Sequence, residues 1–154
     1  GEWQQRGGSG ARLWVSVNMS ARHFERVSLS RDVLSVILET GIDPTRLQIE
    51  ITEGTMLRSL YQAVSSLEQL RDAGVRIAID DFGTGYSSLN HLSKLPVDAL
   101  KIDRSFVARA HTSESDAAIV RLVVALARAM HVTAVAEGIE DAEKAELLPD
   151  LGCP

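Results

Sequence analysis

The sequence predicts an α/β fold built on a parallel sheet, and two observations favour it. Five short runs rich in branched aliphatic residues have the length of β-strands, at 13–18, 47–52, 76–80, 99–103 and 133–137. Segments with helical periodicity alternate with these runs, which is typical of right-handed crossovers between parallel strands. In such sheets functional side chains collect at the carboxyl ends of the strands.

The helices are predicted from apolar periodicity and from residues that favour helix ends. They are expected at 31–40, 60–73, 115–130 and 141–148. Ser30, Ser113 and Asp141 are the candidate N-caps, and Gly41 is a candidate stop. Pro149 is expected to end the last helix, because proline cannot donate the next backbone hydrogen bond.

Composition and charge exclude several classes of protein. The chain has 154 residues, 45% hydrophobic and 24% charged, as in one ordinary globular unit. Its net charge of −5 argues against a DNA-binding surface, and its single cysteine excludes an internal disulfide. No apolar run reaches the roughly 18 residues of a membrane span. The polar residues 1–12 are expected to form a loop or the tail of a preceding element.

Acids, an amide and a lysine lie at the ends of the five predicted strands. In chain order they are Asn18, then Glu50 and Glu53, then Asp80 and Asp81, then Lys101 and Asp103, then Glu137 and Glu140. Oxygen ligands of this kind suit Mg²⁺, Mn²⁺ or Ca²⁺ rather than zinc. Acid-rich sites that hold two such ions carry out phosphoester hydrolysis. A lysine beside them can stabilise the charge that develops in the reaction.

Each residue also has a structural interpretation. A single aspartate after a strand is more often a helix cap than a ligand. Lys101 could extend its ammonium group to water from the edge of the core. Asp80 and Asp81 repel each other and need a cation nearby, so neutralising Asp80 is expected to stabilise the metal-free protein. Alternatively, one of the two caps a turn while the other faces solvent.

A family resemblance rests on five motifs. "VNMS", "IEITE", "DDFGTGYSSL", "LKIDRSFV" and "AEGIE" occur in this order and closely resemble the EAL-domain cyclic di-GMP phosphodiesterases of bacteria. The similarity runs from Leu13 to Gly152, and the departures Met19, Gly54 and Ile139 touch no charged position. It implies a modified TIM-like (β/α) barrel, with about five βα units in this chain. It also implies two Mg²⁺ or Mn²⁺ ions and cleavage of cyclic di-GMP to the linear dinucleotide.

The resemblance also implies roles for individual residues. Asn18, Glu50 and Asp80 correspond to ligands of the first metal, and Asp80 and Asp81 to ligands of the second. Lys101 corresponds to the lysine at the catalytic water, Glu137 to an acid at the second metal, and Glu53 to a loop anchor. Together with Lys101, the acids Asp81 and Glu137 are the candidate catalytic residues. Asp103 and Glu140, at the ends of the fourth and fifth runs, are candidate substrate contacts. The regulatory loop comprises Phe82, Gly83, Thr84, Gly85, Tyr86, Ser87 and Ser88.

The family pattern extends beyond this chain. Its Glu-Ala-Leu segment has no counterpart before Leu13, and its Gln-Gly-Tyr segment none after Gly152. We therefore expect residues 13–154 to be the central portion of the domain and to be inactive alone. The expected parent is a cytoplasmic or membrane-tethered signalling protein with sensory or cyclase domains, whose complete domain forms a homodimer. This segment is expected to contact neither DNA nor the membrane.

Two other functions are alternatives to hydrolysis. A non-catalytic cyclic di-GMP receptor would be a degenerate member of the family that has lost acids at the strand ends, whereas here they are present. The "DFG" at 81–83 also occurs in protein kinases. No HRD-type loop or glycine-rich nucleotide loop precedes it in this sequence, which argues against a kinase.

Overall fold

The computed structural model describes residues 13–24, 28–85 and 92–153, with side chains except those of 56–63 and 143. These residues form two compact units, Gly1–Ala78 and Ile79–Pro154, called the first and second unit below. The predictions for 1–12 and for Tyr86, Ser87 and Ser88 fall outside the described residues.

The first unit contains two complete strands and three α-helices among its described residues. In chain order these are β1 (Val15–Met19), α1 (Ala21–Phe24), α2 (Leu29–Thr40), β2 (Leu47–Thr52) and α3 (Glu53–Asp72), and β3 begins at Arg76. A 3₁₀ turn, Pro44–Arg46, precedes β2. β1 pairs with β2 in parallel, in a register from Val15↔Leu47 to Met19↔Ile51. The core of this unit includes Ile49, Leu67, Leu70 and Ile77.

The second unit contains the rest of β3 (Arg76–Phe82), followed by β4 (Ala99–Ile102), α4 (Arg104–Arg109), α5 (Glu114–Ala129), β5 (Thr133–Ala136) and α6 (Ala142–Asp150). β4 pairs with β5 in parallel, from Ala99↔Thr133 to Ile102↔Ala136. The sheet order follows the chain, β1-β2-β3-β4-β5. The predicted α/β class and parallel sheet are confirmed, and five βα units do not close an eight-stranded barrel.

Three predicted helix ends are confirmed. Gly41 ends α2 with φ of +62°, the left-handed conformation that glycine adopts without strain. Ser113 Oγ accepts a hydrogen bond from the Asp116 N–H at the start of α5. Asp141 Oδ1 accepts one from the Lys144 N–H at 2.8 Å at the start of α6. Each cap satisfies backbone groups that have no partner within the helix.

The predictions for Ser30 and Pro149 were wrong. α2 begins at Leu29, and the buried Ser30 hydroxyl donates to Gln69 Oε1 at 2.7 Å instead of capping the helix. α6 continues through Pro149 to Asp150. Proline has no N–H to donate to Ala145 O, but two other bonds close the end of the helix, from the Leu151 N–H to Leu147 O and from the Cys153 N–H to Leu148 O.

Two further helix boundaries differ from the prediction. The helix predicted at 60–73 begins earlier, at Glu53, because Thr52 Oγ1 accepts a hydrogen bond from the Thr55 N–H and starts α3 directly after β2. The short helix α4 was not predicted. It begins at Arg104, where Asp103 caps it by accepting a hydrogen bond from the Ser105 N–H at 2.8 Å. Within the part of the chain that is described, no helix has the length and apolar character to cross a bilayer.

We expect Asp116→Asn to lower the melting temperature at neutral pH. Arg109 donates to both carboxylate oxygens of Asp116, at 3.0 and 3.1 Å, and these bonds lower the pKa of that carboxyl group. A carboxyl group whose pKa falls on folding stabilises the fold above its unfolded pKa and loses that effect as pH falls through its folded pKa. Thermal unfolding at about pH 7 and about pH 3 checks this. A deficit of equal size at both values would contradict it.

Candidate functional site

Three strand ends of the second unit bring Asp80, Lys101 and Glu137 together. Lys101 Nζ lies 2.9 Å from Asp80 Oδ1 and 2.7 Å from Glu137 Oε1. Lys101 is 8% exposed and belongs to β4, whose four residues are all buried. Its ammonium group therefore pairs with two carboxylates rather than extending to water, and the structural interpretation of Lys101 was wrong. The structure thus supplies a positive charge beside the adjacent acids.

Asp81 joins this group because the backbone turns at that residue. Asp81 has φ of +52°, and Gly83 follows with φ of +103°. The Asp81 N–H donates to Asp80 Oδ1 at 3.1 Å, and Thr84 Oγ1 donates to Asp81 O at 2.9 Å. In a regular strand, successive side chains point to opposite faces. Here one carboxylate oxygen each of Asp80, Asp81 and Glu137 lies within 4.8 Å of the others.

The electrostatics of this cluster favour a bound cation. Burial raises the pKa of Asp81, and the charges of Asp80 and Asp103 raise it further. Burial by itself would raise the pKa of Asp103 too. The hydrogen bonds from Ser105 and from Asp81 outweigh burial, so the pKa of Asp103 is lowered. Among the described residues, the ammonium group of Lys101 pairs with two of these four acids, and the charge of Arg104 acts on Asp103. The acids therefore outnumber the positive groups beside them. Clustered carboxylate oxygens are ligands that Mg²⁺ and Mn²⁺ prefer, so the donor set fits such an ion.

Asn18 and Glu50 lie in the first unit, at the ends of a strand pair. They are register partners of β1 and β2, so their side chains share one face of the pair. Glu50 is 6% exposed. The opposite face, which includes Val17 and Ile49, lines an apolar cavity of about 530 Å³ against α2. The pattern of β2 therefore separates a polar face that carries Glu50 from an apolar face that lines the cavity.

Gln48 was not predicted as a site residue. Its Nε2 donates to Glu50 Oε1 at 3.0 Å and lies 3.3 Å from Ser16 Oγ. The strand period of two could have identified it, because residues two apart in a strand share a face. An amide that donates to a carboxylate fixes its orientation, as the outer partners of metal ligands do.

The remaining predicted site residues are Glu53, Asp103 and Glu140, and they differ in burial and in contacts. Glu53 is 2% exposed and is the first residue of α3, where an acid also interacts favourably with the helix dipole. Its role as a loop anchor stays a prediction. Asp103 lies next to Asp81 and also caps α4, so the functional and structural interpretations both apply to it. Glu140 is exposed in the segment after β5, and its substrate contact stays a prediction.

We expect Asp81→Asn to raise the melting temperature of the metal-free protein at neutral pH. A carboxyl group whose pKa rises on folding costs stability above its unfolded pKa, and the cost disappears as pH falls through the folded pKa. Asparagine also tolerates the positive φ at this position. Thermal unfolding in chelator measures the change, which should shrink on acidification.

The matched control is Asp103→Asn, which should lower the melting temperature at neutral pH. The pKa of Asp103 is shifted downward, so its charged form stabilises the fold, while asparagine can still cap α4. Changes of the same sign in both variants would contradict this account of the acidic cluster.

Comparisons with known proteins agree on one family. A family model described as the EAL domain matches residues 1–154. The bifunctional diguanylate cyclase/cyclic di-GMP phosphodiesterase MucR of Pseudomonas aeruginosa is 42% identical, over 92% of this chain and 22% of MucR. The cyclic di-GMP phosphodiesterase NbdA of the same organism is 40% identical, over 92% of this chain and 18% of NbdA. The chain spans about a fifth of the length of these relatives.

Solved structures give the same result. The PaMucR phosphodiesterase in complex with c-di-GMP has a TM-score of 0.90 at 42% identity, covering 99% of this chain and 61% of that one. Klebsiella pneumoniae BlrP1 was solved in a manganese and in a calcium complex, each with cyclic di-GMP. Both BlrP1 structures have a TM-score of 0.81 at 32% identity, covering 91% of this chain and 36% of that one.

Proposed function

We propose, because this chain belongs to the EAL domain family, that it carries much of the active site of a phosphodiesterase. The proposed reaction hydrolyses cyclic di-GMP to the linear dinucleotide. The observation that supports it most is the pairing of Lys101 with Asp80 and Glu137 beside Asp81, which joins a positive charge to three acids whose oxygens lie close enough together to hold a metal ion. The names of the relatives MucR and NbdA both include cyclic di-GMP phosphodiesterase.

Two divalent ions, Mg²⁺ or Mn²⁺, are the proposed cofactors. Asn18, Glu50 and Asp80 would hold one ion, and Asp80 and Asp81 the other, with Glu137 beside it. Such ions supply Lewis-acid chemistry and generate a hydroxide nucleophile at neutral pH. The carboxylate oxygens of Asp80, Asp81 and Glu137 fit this role by their chemistry and closeness, and manganese is named in a BlrP1 complex. The assignment of Asn18 and Glu50 rests on the family motifs.

The protein's own groups would orient the reactants. Lys101, held by two ion pairs, places an ammonium group where negative charge develops on the phosphate or on an attacking water. Gln48 would keep the Glu50 carboxylate in one orientation through its 3.0 Å hydrogen bond. Asp103 and Glu140 are proposed substrate contacts. Glu53 is the proposed anchor of the loop at 82–88.

The proposal extends to the oligomeric state, the flanking domains and the location of the parent protein. The active domain is proposed to work as a homodimer within a longer signalling protein that also carries sensory or cyclase domains. The length of the relatives supports the second point, since MucR is named as bifunctional. Cytoplasm is the proposed location, with the alternative that the parent protein is tethered to a membrane.

The test is hydrolysis of cyclic di-GMP by the full-length protein with Mg²⁺ or Mn²⁺ and with excess chelator. We expect turnover with either ion, none with chelator, and inhibition by Ca²⁺, whose longer and looser coordination misplaces the reacting water. Full activity in chelator would contradict the two-metal site. Binding of cyclic di-GMP without turnover under every metal condition would identify a receptor instead.

A further inference from the structure

Gly138 follows Glu137 directly and lies against the start of α4. Its φ is +73°, in the left-handed region. A Cβ atom added to Gly138 would lie 2.7 Å from Arg104 Cβ and 3.5 Å from Arg104 Cα. Two carbon atoms in van der Waals contact stay about 3.5 to 4.0 Å apart. Any side chain at position 138 would therefore force the backbone of one segment away from the other.

Arg104 cannot avoid this contact by a rotamer change. The conflicting atom is its Cβ, which is bonded to the backbone and moves only with it. Arg104 is the first residue of α4, and that end is held by Asp103, which accepts a hydrogen bond from the Ser105 N–H at 2.8 Å. The segment after β5 has no helix or strand at 137–140. We expect this segment to be the one that shifts, and Glu137 with it.

A shift of Glu137 would change the acidic cluster. Glu137 Oε1 lies 2.7 Å from Lys101 Nζ, and the carboxylates of Glu137, Asp80 and Asp81 lie together. We propose that Gly138 is a positioning residue: its missing side chain lets the segment after β5 approach α4 closely enough to place Glu137 in the metal site. This inference rests on the proposed function, because it takes the acidic cluster to be a metal site.

The test is Gly138→Ala in the full-length protein, with the affinity for Mn²⁺ measured by electron paramagnetic resonance. Loss of an interaction that orients a metal ligand typically costs about 10- to 100-fold in metal affinity or activity. We expect a loss of Mn²⁺ affinity in this range and a parallel fall in kcat. If Gly138→Ala does not fold, Gly138→Asn replaces it, because asparagine tolerates the positive φ but keeps the conflicting Cβ.

Three matched variants separate positioning from backbone strain. Gly41 has a similar φ of +62°, and a Cβ added there would meet nothing within 4 Å. Gly41→Ala should therefore lower the melting temperature without changing Mn²⁺ affinity. In the double variant Arg104→Gly with Gly138→Ala the conflicting atom is absent, so Mn²⁺ affinity should recover. Arg104→Ala keeps the Cβ atom and, combined with Gly138→Ala, should give no recovery.

The measured Mn²⁺ affinities and turnover test the positioning role, the metal site and the proposed reaction separately. Unchanged Mn²⁺ affinity in Gly138→Ala, or no recovery in the double variant with Arg104→Gly, would overturn the positioning role. If the wild-type protein does not bind Mn²⁺, the proposed metal site fails and the positioning role with it. If the wild type binds Mn²⁺ but does not cleave cyclic di-GMP, the proposed reaction fails, whereas the Mn²⁺ affinities still decide the role of Gly138.

Discussion

Replacing Asp80 with asparagine should reduce hydrolysis of cyclic di-GMP by the full-length protein by about 1000-fold or more, or about 4 kcal/mol of transition-state stabilisation. Asp80 is the proposed bridge between the two ions. Its side chain is 14% exposed and pairs with Lys101 at 2.9 Å. Asparagine keeps the shape but removes the charge that attracts both ions. The fold should remain, although Lys101 loses one of its two partners and the metal-free protein becomes less stable.

The measurement combines turnover with Mn²⁺ affinity and thermal unfolding. Asp72→Asn is the matched control, because Asp72 is exposed at the last residue of α3 and has no proposed role in the site. It should leave turnover and Mn²⁺ affinity at the wild-type level. An Asp80→Asn protein that is folded and fully active would show that Asp80 does not hold the ions. One that does not fold would show that Asp80 serves the structure instead.

The second large effect is expected from Lys101→Met, which should reduce turnover about 100- to 10,000-fold while increasing the affinity for Mn²⁺. The ammonium group lies 2.9 Å from Asp80 Oδ1 and 2.7 Å from Glu137 Oε1, where it competes with a cation for the same oxygens. Methionine has a similar length and no charge. Its introduction removes the ion-pair partner of the Asp80 and Glu137 carboxylates. Breaking a fully buried pair costs about 3 to 5 kcal/mol, and the cost here should be smaller because the Glu137 side chain is 32% exposed.

Opposite changes in turnover and affinity distinguish this prediction from simple damage to the site. The metal-free Lys101→Met protein should melt at a lower temperature than the wild type, and Mn²⁺ should raise that temperature more than it does in the wild type. Lys144→Met is the matched control, because Lys144 pairs with Asp141 at the start of α6. A fall in Mn²⁺ affinity in Lys101→Met would show that the lysine supports the ions rather than competing with them.

The sequence alone was sufficient for the class of fold and for the kinds of side chain at the strand ends. The five apolar runs became the five strands of a parallel sheet, because strand length and composition are local properties. Capping by Ser113 and Asp141 was equally local and was confirmed. Side chains at the ends of adjacent parallel strands must lie near one another, so the grouping of Lys101 with Glu137 follows from topology.

Several local predictions were wrong because a tertiary contact was stronger than the local preference. Ser30 bonds to Gln69, 39 residues further along the chain, and a capping rule based on near neighbours cannot include that partner. The error at Pro149 is of a different kind, because the bonds that close the end of α6, from the Leu151 N–H to Leu147 O and from the Cys153 N–H to Leu148 O, are local. The repulsion expected between Asp80 and Asp81 led to the prediction that neutralising Asp80 would stabilise the metal-free protein. Because Asp80 pairs with Lys101, the acid whose neutralisation should stabilise the metal-free protein is Asp81 instead.

What the sequence by itself determined was that acids, an amide and a lysine lie at or near the carboxyl ends of the strands, because periodicity and chain order decide where strands end. The tertiary structure alone decided how these groups are oriented and paired. The left-handed backbone at Asp81 turns its carboxylate toward Asp80 and Glu137, Gln48 donates to Glu50, and Gly138 lies against Arg104. Such details depend on distances of a few ångströms between segments far apart in the chain, which no local pattern encodes.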